Sequence, residues 1–265
     1  RIDGNPIDVV SGRFSDGAAS LAERLAAGLG DTIMLDTAVH QIDHADREVR
    51  VSHANGSITA GHIVVALAPS LAVHTIRLCP SLPADLVALA AATPVWMGNV
   101  TKVVAVYRDA FWRENGLSGA AISHVGPLRE IHDISGVNFD PAALFGFVPL
   151  GPDTPPPTTN EVIGQLVEIF GSEAAHPVEV LIKDWRTEAQ DGSGAATTQT
   201  PMGTYGHRLY QQPCGHGRIH WASTETAPVS PGHIEGAIAA AERAVEAIIR
   251  HTTPVHQPSV RHGDQ

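Results

Sequence analysis

The sequence predicts a mixed α/β or α+β fold, and three observations carry that expectation. Segments with strand patterning alternate with segments of helical patterning along the chain rather than being grouped by type. A meander-like stretch near the start contains Asn55-Gly56, a strong signal for a tight hairpin turn. Near the end, a short apolar run (218–223) passes through a turn rich in Pro, Ser and Gly into a long Ala-rich helix. Strand, tight turn and helix start together leave backbone N–H groups and a positive dipole end facing outward. That arrangement suits an anionic or electron-rich ligand.

Taken in order, Ser15 or Asp16 can cap a first helix whose Leu21, Leu25 and Leu29 recur at four-residue spacing, with Gly28 and Gly30 ending it. Short alternating segments at 32–35 and 39–42 are expected as strands, and 48–52 with 57–60 as the two arms of the hairpin. Residues 62–68 are apolar on both faces and read as a buried strand. Pro80 and Pro83 mark the entry to a helix over 82–92. Residues 99–107 alternate as a strand with Lys102 inside it, and 111–116 reads as a turn anchored by Phe111 and Trp112. A strand at 143–148, a Pro-rich loop at 151–158, a helix at 161–170 closed by Gly171 and a strand at 178–185 follow. Residues 187–204 are a loop by their Gly, Ser and Thr content. The last helix covers 234–250, with Ile238, Ala241, Val245, Ile248 and Ile249 on one side. The tail 251–265 has no periodicity and is expected to be disordered.

Composition narrows the function classes. At 265 residues the chain can hold one large domain or two modest ones. A net charge of −11 supplies no basic stripe for phosphate, which excludes nucleic acid as a partner. Two cysteines, Cys79 and Cys214, are too few for a disulfide framework and are expected as free thiols. No apolar run approaches a membrane span and no leader pattern opens the chain, so a cytoplasmic protein without membrane contact is expected. None of the 15 histidines stands at a spacing that converges metal ligands, so no metal is expected.

The residue order then identifies a family. Arg13-Phe14 before the first helix, Asp36-Thr-Ala-Val39, His62-Ile-Val-Val-Ala-Leu-Ala-Pro-Ser and Leu82-Pro83 come first. Gly98-Asn-Val-Thr-Lys102, Tyr107 with Phe111-Trp-Arg, Gly146-Phe147 and Asp184-Trp185 follow. Thr224-Glu225-Thr-Ala, Gly232 and Glu235-Gly-Ala close the series. In this order the blocks resemble the carboxy-terminal portion of the flavin-containing amine oxidase (monoamine oxidase-like) family.

The resemblance implies a two-domain flavoprotein fold. An incomplete FAD-binding domain would be made of residues 1–91 and 188–250, and a substrate domain with a mixed sheet of residues 92–187. It implies FAD as cofactor and hydride transfer from an amine to the flavin, giving an imine, with O₂ as acceptor and H₂O₂ as product. Partners are then a small-molecule amine and O₂, with a homodimer or a missing amino-terminal segment as further partners. Lys102 would hold a water against the flavin N5. From the residues alone, a lysine in an apolar strand either snorkels to a surface or is held inside, and snorkelling is the commoner case. Val39 would pair through its backbone with the adenine. Trp185 would pack near the ring, or serve only as a core aromatic. Thr224, Glu225, Gly232 and Ile234 would form the closing motif, with backbone amides near Thr224 and at Ile234 as donors. Phe147 and His132 match substrate-cavity positions.

Three departures accompany the match. No Gly-x-Gly-x-x-Gly is present and the chain starts at Arg1, so a fragment of a longer protein is expected. The positions of the family's two aromatic cage residues hold Ala196 (or Ala195) and His233, and the neighbouring loop Gly192-Ser-Gly-Ala-Ala has no cysteine, so any FAD is non-covalent. Ser223 stands where the family has glycine. The altered cage leaves an amino-acid or polyamine oxidase, or a desaturase, as alternatives on the same fold. The missing phosphate loop leaves a non-catalytic remnant that binds no FAD alone.

Overall fold

The computed structural model describes residues 14–95, 98–136, 138, 140–151, 154–187 and 203–252. The chain divides into two compact units, one of Arg1–Asp36 with Met97–Thr198 and the other of Thr37–Trp96 with Gln199–Gln265. Each is built around its own core.

The first unit opens with α1 (Ala19–Leu29), which ends at Gly30 in a positive-φ conformation. No residue of α1 is buried, and Ser20 rather than Ser15 or Asp16 is the hydroxyl bonded at its start, to the Gly17 carbonyl. The strand expected at 32–35 does not form. Gly30 and Asp36 both take positive φ and a 3-10 turn occupies Gly30–Thr32, so the chain turns where an extended segment was expected. The centre of the unit is an antiparallel sheet made of β6 (Val100–Tyr107), β7 (Ala121–Ile122), β8 (Glu130–Asp133), β9 (Ala142–Pro149) and β10 (Glu179–Asp184), in the order β10-β6-β9-β8-β7. The two longest, β6 and β9, alternate strictly in burial or nearly so.

One face of this sheet is covered by α4 (Phe111–Glu114) and α5 (Thr159–Phe170). The segment expected as a turn at 111–116 is thus a helical turn, with Phe111 and Trp112 both buried. Trp112 is fully inside because its ring meets Tyr107 and Phe111 edge-on and its indole N–H reaches Asp133 Oδ2 at 2.8 Å. The core under this face joins Val103, Ala105, Tyr107, Ile131, Leu144, Val162, Leu166 and Phe170. Thr158 and Glu161 form a reciprocal capping box at the start of α5, satisfying amides the helix cannot pair itself.

The second unit holds a four-stranded sheet of β1 (Val39–His44), β2 (Val49–His53), β3 (Gly56–Ala60) and β5 (Arg77–Cys79), ordered β3-β2-β1-β5. The hairpin forms one residue earlier than the Asn-Gly signal suggested. His53 pairs with Gly56, so Ala54 and Asn55 make the turn and Gly56, at φ 150, opens β3. A second, parallel pair joins β4 (Ile63–Val65) to β11 (Ile219–Trp221). The strand expected over 62–68 shrinks to three residues, and Val64 is 40% exposed rather than buried on both faces. The chain leaves it at once, because Pro69 starts α2 (Pro69–Thr75). Next comes α3 (Ala84–Ala92), and α6 (Ile234–Thr252) closes the unit. Its core joins Ile42, Val49, Val65, Leu82, Leu86, Tyr210, Ile219 and Trp221. No described helix is long and apolar enough to cross a membrane.

Candidate functional site

In the first unit the site begins with the alternation of β6. Thr101, Val103, Ala105 and Tyr107 point into the core, so Val100, Lys102, Val104 and Val106 share the opposite, half-buried face. The antiparallel register then sets their neighbours. Lys102 pairs with Lys183 of β10 on one side and with Phe147 of β9 on the other, and Phe147 in turn pairs with Glu130 of β8. One pair further along, Leu181, Val104, Phe145 and His132 form the adjacent row. Directly opposed residues of an antiparallel pair stand on one face, so the two rows make a single surface.

Ring contacts hold that surface together. Phe145 and Phe147 meet edge-to-face at 4.6 Å, and His132 lies 6.5 and 6.4 Å from them. Trp185 follows β10 in a 3-10 turn, and the ammonium groups of Lys102 and Lys183 lie 5.4 and 5.5 Å from its ring centroid, within cation–π reach. The turn is pinned by Arg186, whose Nη2 donates to Asp184 Oδ2 at 2.7 Å and whose Nη1 donates to the Gly151 carbonyl at 3.0 Å. That guanidinium holds the Asp184 carboxyl below its ordinary range. Lys102, Trp185, Phe147 and His132 are therefore brought together on one face. Ala196 lies outside the described residues.

The second unit assembles the other set. Thr224–Thr226 is a 3-10 turn directly after β11, and Thr224 Oγ1 donates to the His233 carbonyl at 2.7 Å. Gly232 has φ 81, a conformation L side chains rarely adopt, and it reverses the chain just before Ile234, the first residue of α6. A Cβ at Gly236 would stand 2.3 Å from the Ser230 carbonyl oxygen and 2.9 Å from Thr224 Oγ1, so the first turn of α6 packs directly on this loop. Arg243 ties the same helix to the strand, donating to the Trp221 carbonyl at 2.7 Å and the Thr226 carbonyl at 3.3 Å. His233 is exposed, with Nδ1 3.1 Å from the Pro231 carbonyl. Glu225 is buried, and its carboxylate adds to the burial that pushes the Tyr205 and Tyr210 phenols up to about 12. Val39 sits at the start of β1, beyond Gln41–Asp43 where β5 runs alongside.

The start of α6 suits an anionic or electron-rich group. The first amides of α6 have no intrahelical acceptor and carry the positive end of its dipole. Ser223 Oγ and, in the first unit, Trp185 Nε1 are buried polar atoms with no hydrogen-bond partner among the described residues. Buried donors left unmatched by protein are costly, and acceptors of a bound group would satisfy them.

The chain belongs to the flavin-containing amine oxidoreductase family, whose model matches residues 8–249. It is 35% identical over 248 residues to AofH of Mycobacterium tuberculosis (strain H37Rv), by name a flavin-containing monoamine oxidase, covering 90% of this chain and 53% of that protein. It is 31% identical to flavin-containing amine oxidase B of Sus scrofa, covering 89% of this chain and 47% of that one. Among solved structures it resembles cyclohexylamine oxidase from Brevibacterium oxydans IH-35A, with a TM-score of 0.77 and 29% identity over 89% of this chain and 53% of that chain. The chain thus spans about half the length of the relatives it matches.

Sequence reasoning missed several members of these surfaces. Glu130 and Phe145 belong to the face of Lys102, but β8 is four residues long and its pairing with β9 leaves no local signal. The fork of Arg186 onto Asp184 was legible as an i, i+2 pair beside Trp185. Arg243 carries no local signal, because its partners, the Trp221 and Thr226 carbonyls, lie 22 and 17 residues away in sequence.

Proposed function

We propose that the full-length protein is an FAD-dependent amine oxidase acting on a primary amine, with O₂ as acceptor. The observation that carries this reading is the convergence of Lys102, Trp185, Phe147 and His132 on the half-buried face of the five-stranded sheet. FAD, when bound, supplies the hydride acceptor that turns the amine into an imine and passes the electrons to O₂.

The chain's own residues would do the rest. Lys102, an ammonium held beside an indole and a phenyl ring, positions a water and delivers or takes a proton there. Trp185 would lie against the cofactor and offer its N–H. Phe147 and Phe145 exclude water from the amine's carbon chain, and His132 borders them. The backbone amides near Thr224, Gly232 and Ile234 would hold phosphate and the carbonyl edge of the ring. There the dipole of α6 would stabilise negative charge. Glu225 would brace the Thr224–Thr226 turn from inside, and the backbone of Val39 would meet the adenine. With His233 and Ala196 at the cage positions, substrate orientation falls to the Phe147 face, and no cysteine in the loop 192–196 leaves FAD non-covalent.

The test is spectroscopic. Purified full-length protein should be yellow, release its flavin on acid precipitation, and bleach anaerobically when a primary amine is added. A folded, colourless protein that takes up no added FAD would overturn the reading.

A further inference from the structure

Strand β8 brings His132 to the face of Lys102, yet it is four residues long and its outer neighbour β7 only two. A pairing this short offers few ladder bonds to fix its register, and a slip of one residue would turn His132 to the opposite face. A side chain of α5 holds the entry to the strand. Gln165 is buried, and its amide closes on one residue from both sides: Oε1 accepts the Leu128 N–H at 2.7 Å, and Nε2 donates to the Leu128 carbonyl at 2.8 Å. Nε2 also donates to the Val125 carbonyl at 2.6 Å. Both donors and the acceptor oxygen are thus spent on the turn between β7 and β8. Gly126 makes room for them. At φ 80 it turns the chain where L side chains rarely go, and a Cβ there would stand 2.5 Å from Gln165 Cδ. Just past the clamped Leu128, Arg129 donates its N–H to the Phe147 carbonyl at 2.9 Å and starts the pairing that sets His132 against Phe145.

We propose that Gln165 is a positioning residue for the amine site: by clamping Leu128 it sets the register of β8, and so the place of His132 beside Phe145 and Phe147. This deepens the amine-oxidase reading and rests on it. Gln165 comes from the helix side of the sheet, opposite the face of Lys102, and its influence passes along the backbone from Leu128 to His132. The far end of β8 has an anchor of its own. Asp133 Oδ2 accepts from the Trp112 indole N–H at 2.8 Å and from Arg113 Nε at 2.6 Å, and Asp133 Oδ1 accepts from the Ser135 N–H at 2.8 Å. With that end fixed, the entry decides where the strand lies. A hydrocarbon of similar length at position 165 would leave two carbonyls and an amide unmatched in the core, and the turn would move to satisfy them. Lys102 and Trp185 belong to β6 and the turn after β10, on the other side of β9. The flavin end of the face therefore stays in place while the end that meets the amine's carbon chain shifts.

The test uses full-length, flavin-loaded protein carrying Gln165→Met, which keeps the length and removes the hydrogen bonds, or Gly126→Ala, which drives a methyl group into the same amide. Circular dichroism and the flavin spectrum check that each variant folds and keeps its cofactor; where one does not fold, the other carries the test. Anaerobic stopped flow with n-butylamine separates the amine's apparent Kd from the limiting rate of flavin reduction. Each variant should raise that Kd about tenfold, the scale of one lost apolar contact in a pocket, and leave the limiting rate within about twofold. On a His132→Ala background the same substitutions should change the Kd little further, because the effect runs through that ring. The imidazole NMR resonances of His132, assigned by their loss in His132→Ala, should shift in both variants whether or not flavin is bound. An unchanged Kd with unmoved His132 resonances in a folded variant, or full additivity with His132→Ala, overturns the proposal. Shifted His132 resonances in a protein whose flavin no amine bleaches would instead refute the oxidase reading and leave the clamp standing.

Discussion

Strands β6 and β11 carry titratable residues under opposite conditions. On β6 only alternate residues are buried, and Lys102 lies on the face left half open. On β11 Ile219, His220 and Trp221 are all buried, and the polar neighbour of His220 Nε2 among the described residues is the His62 ring, at 3.1 Å. An ammonium on a half-open face keeps its hydration on one side and gains ring contacts on the other. An imidazole closed in on every side favours the form without charge. Burial, then the rings of His62 and His251, push His220 down to about 4. The lesson is that burial on all sides, which strand alternation decides, sets how hard it is to charge a titratable side chain.

Breaking the closed strand should have the largest effect. Trp221→Ala removes a fully buried indole packed 5.7 Å from the Tyr210 ring. It should cost about 3–5 kcal/mol of stability, read as a lowered urea midpoint. On the open strand the balance inverts. Lys102→Met should change stability by no more than about 1 kcal/mol. It should nonetheless slow flavin reduction or reoxidation roughly a hundredfold in stopped flow, the scale of one positioned catalytic group. Unchanged half-reaction rates would remove Lys102 from the mechanism.

The smallest effect sharpens the comparison through pH. The folded protein binds a proton at His220 less tightly than the unfolded chain, whose value is near 6.5. That stability is complete above about pH 6.5 and is lost as the pH falls toward 4, by up to about 1.4 kcal/mol per pH unit for one proton. His62 is lowered as well and adds the same sign. Urea titrations between pH 7 and pH 5 should show a steeper loss in wild type than in His220→Gln. A slope unchanged by the substitution would show that His220 is not held neutral.

Much of the fold was legible because it is local. Alternation located β6, Gly171 marked the end of α5, apolar residues gathered on one side located α6, and a turn rich in Pro, Ser and Gly marked the reversal before α6. The misreadings share a cause. Residues 32–35 and 62–68 have strand composition, but whether such a segment extends depends on a partner strand to accept its hydrogen bonds. None borders 32–35 among the described residues, and β11 supports only Ile63–Val65. The aromatic pair Phe111-Trp112 looked like a turn because its burial depends on Asp133 and Tyr107, distant in sequence.

The order of residues alone determined the family, through blocks in series along the chain, and also the alternating strand that carries Lys102 and the turn before α6, since these two rest on spacing within a short segment. Which side chains share the face of Lys102 was settled only by strand register. Glu130, Phe147 and Lys183 come to that row from three separate strands, and a shift of one residue in any of them would turn its side chain to the opposite face.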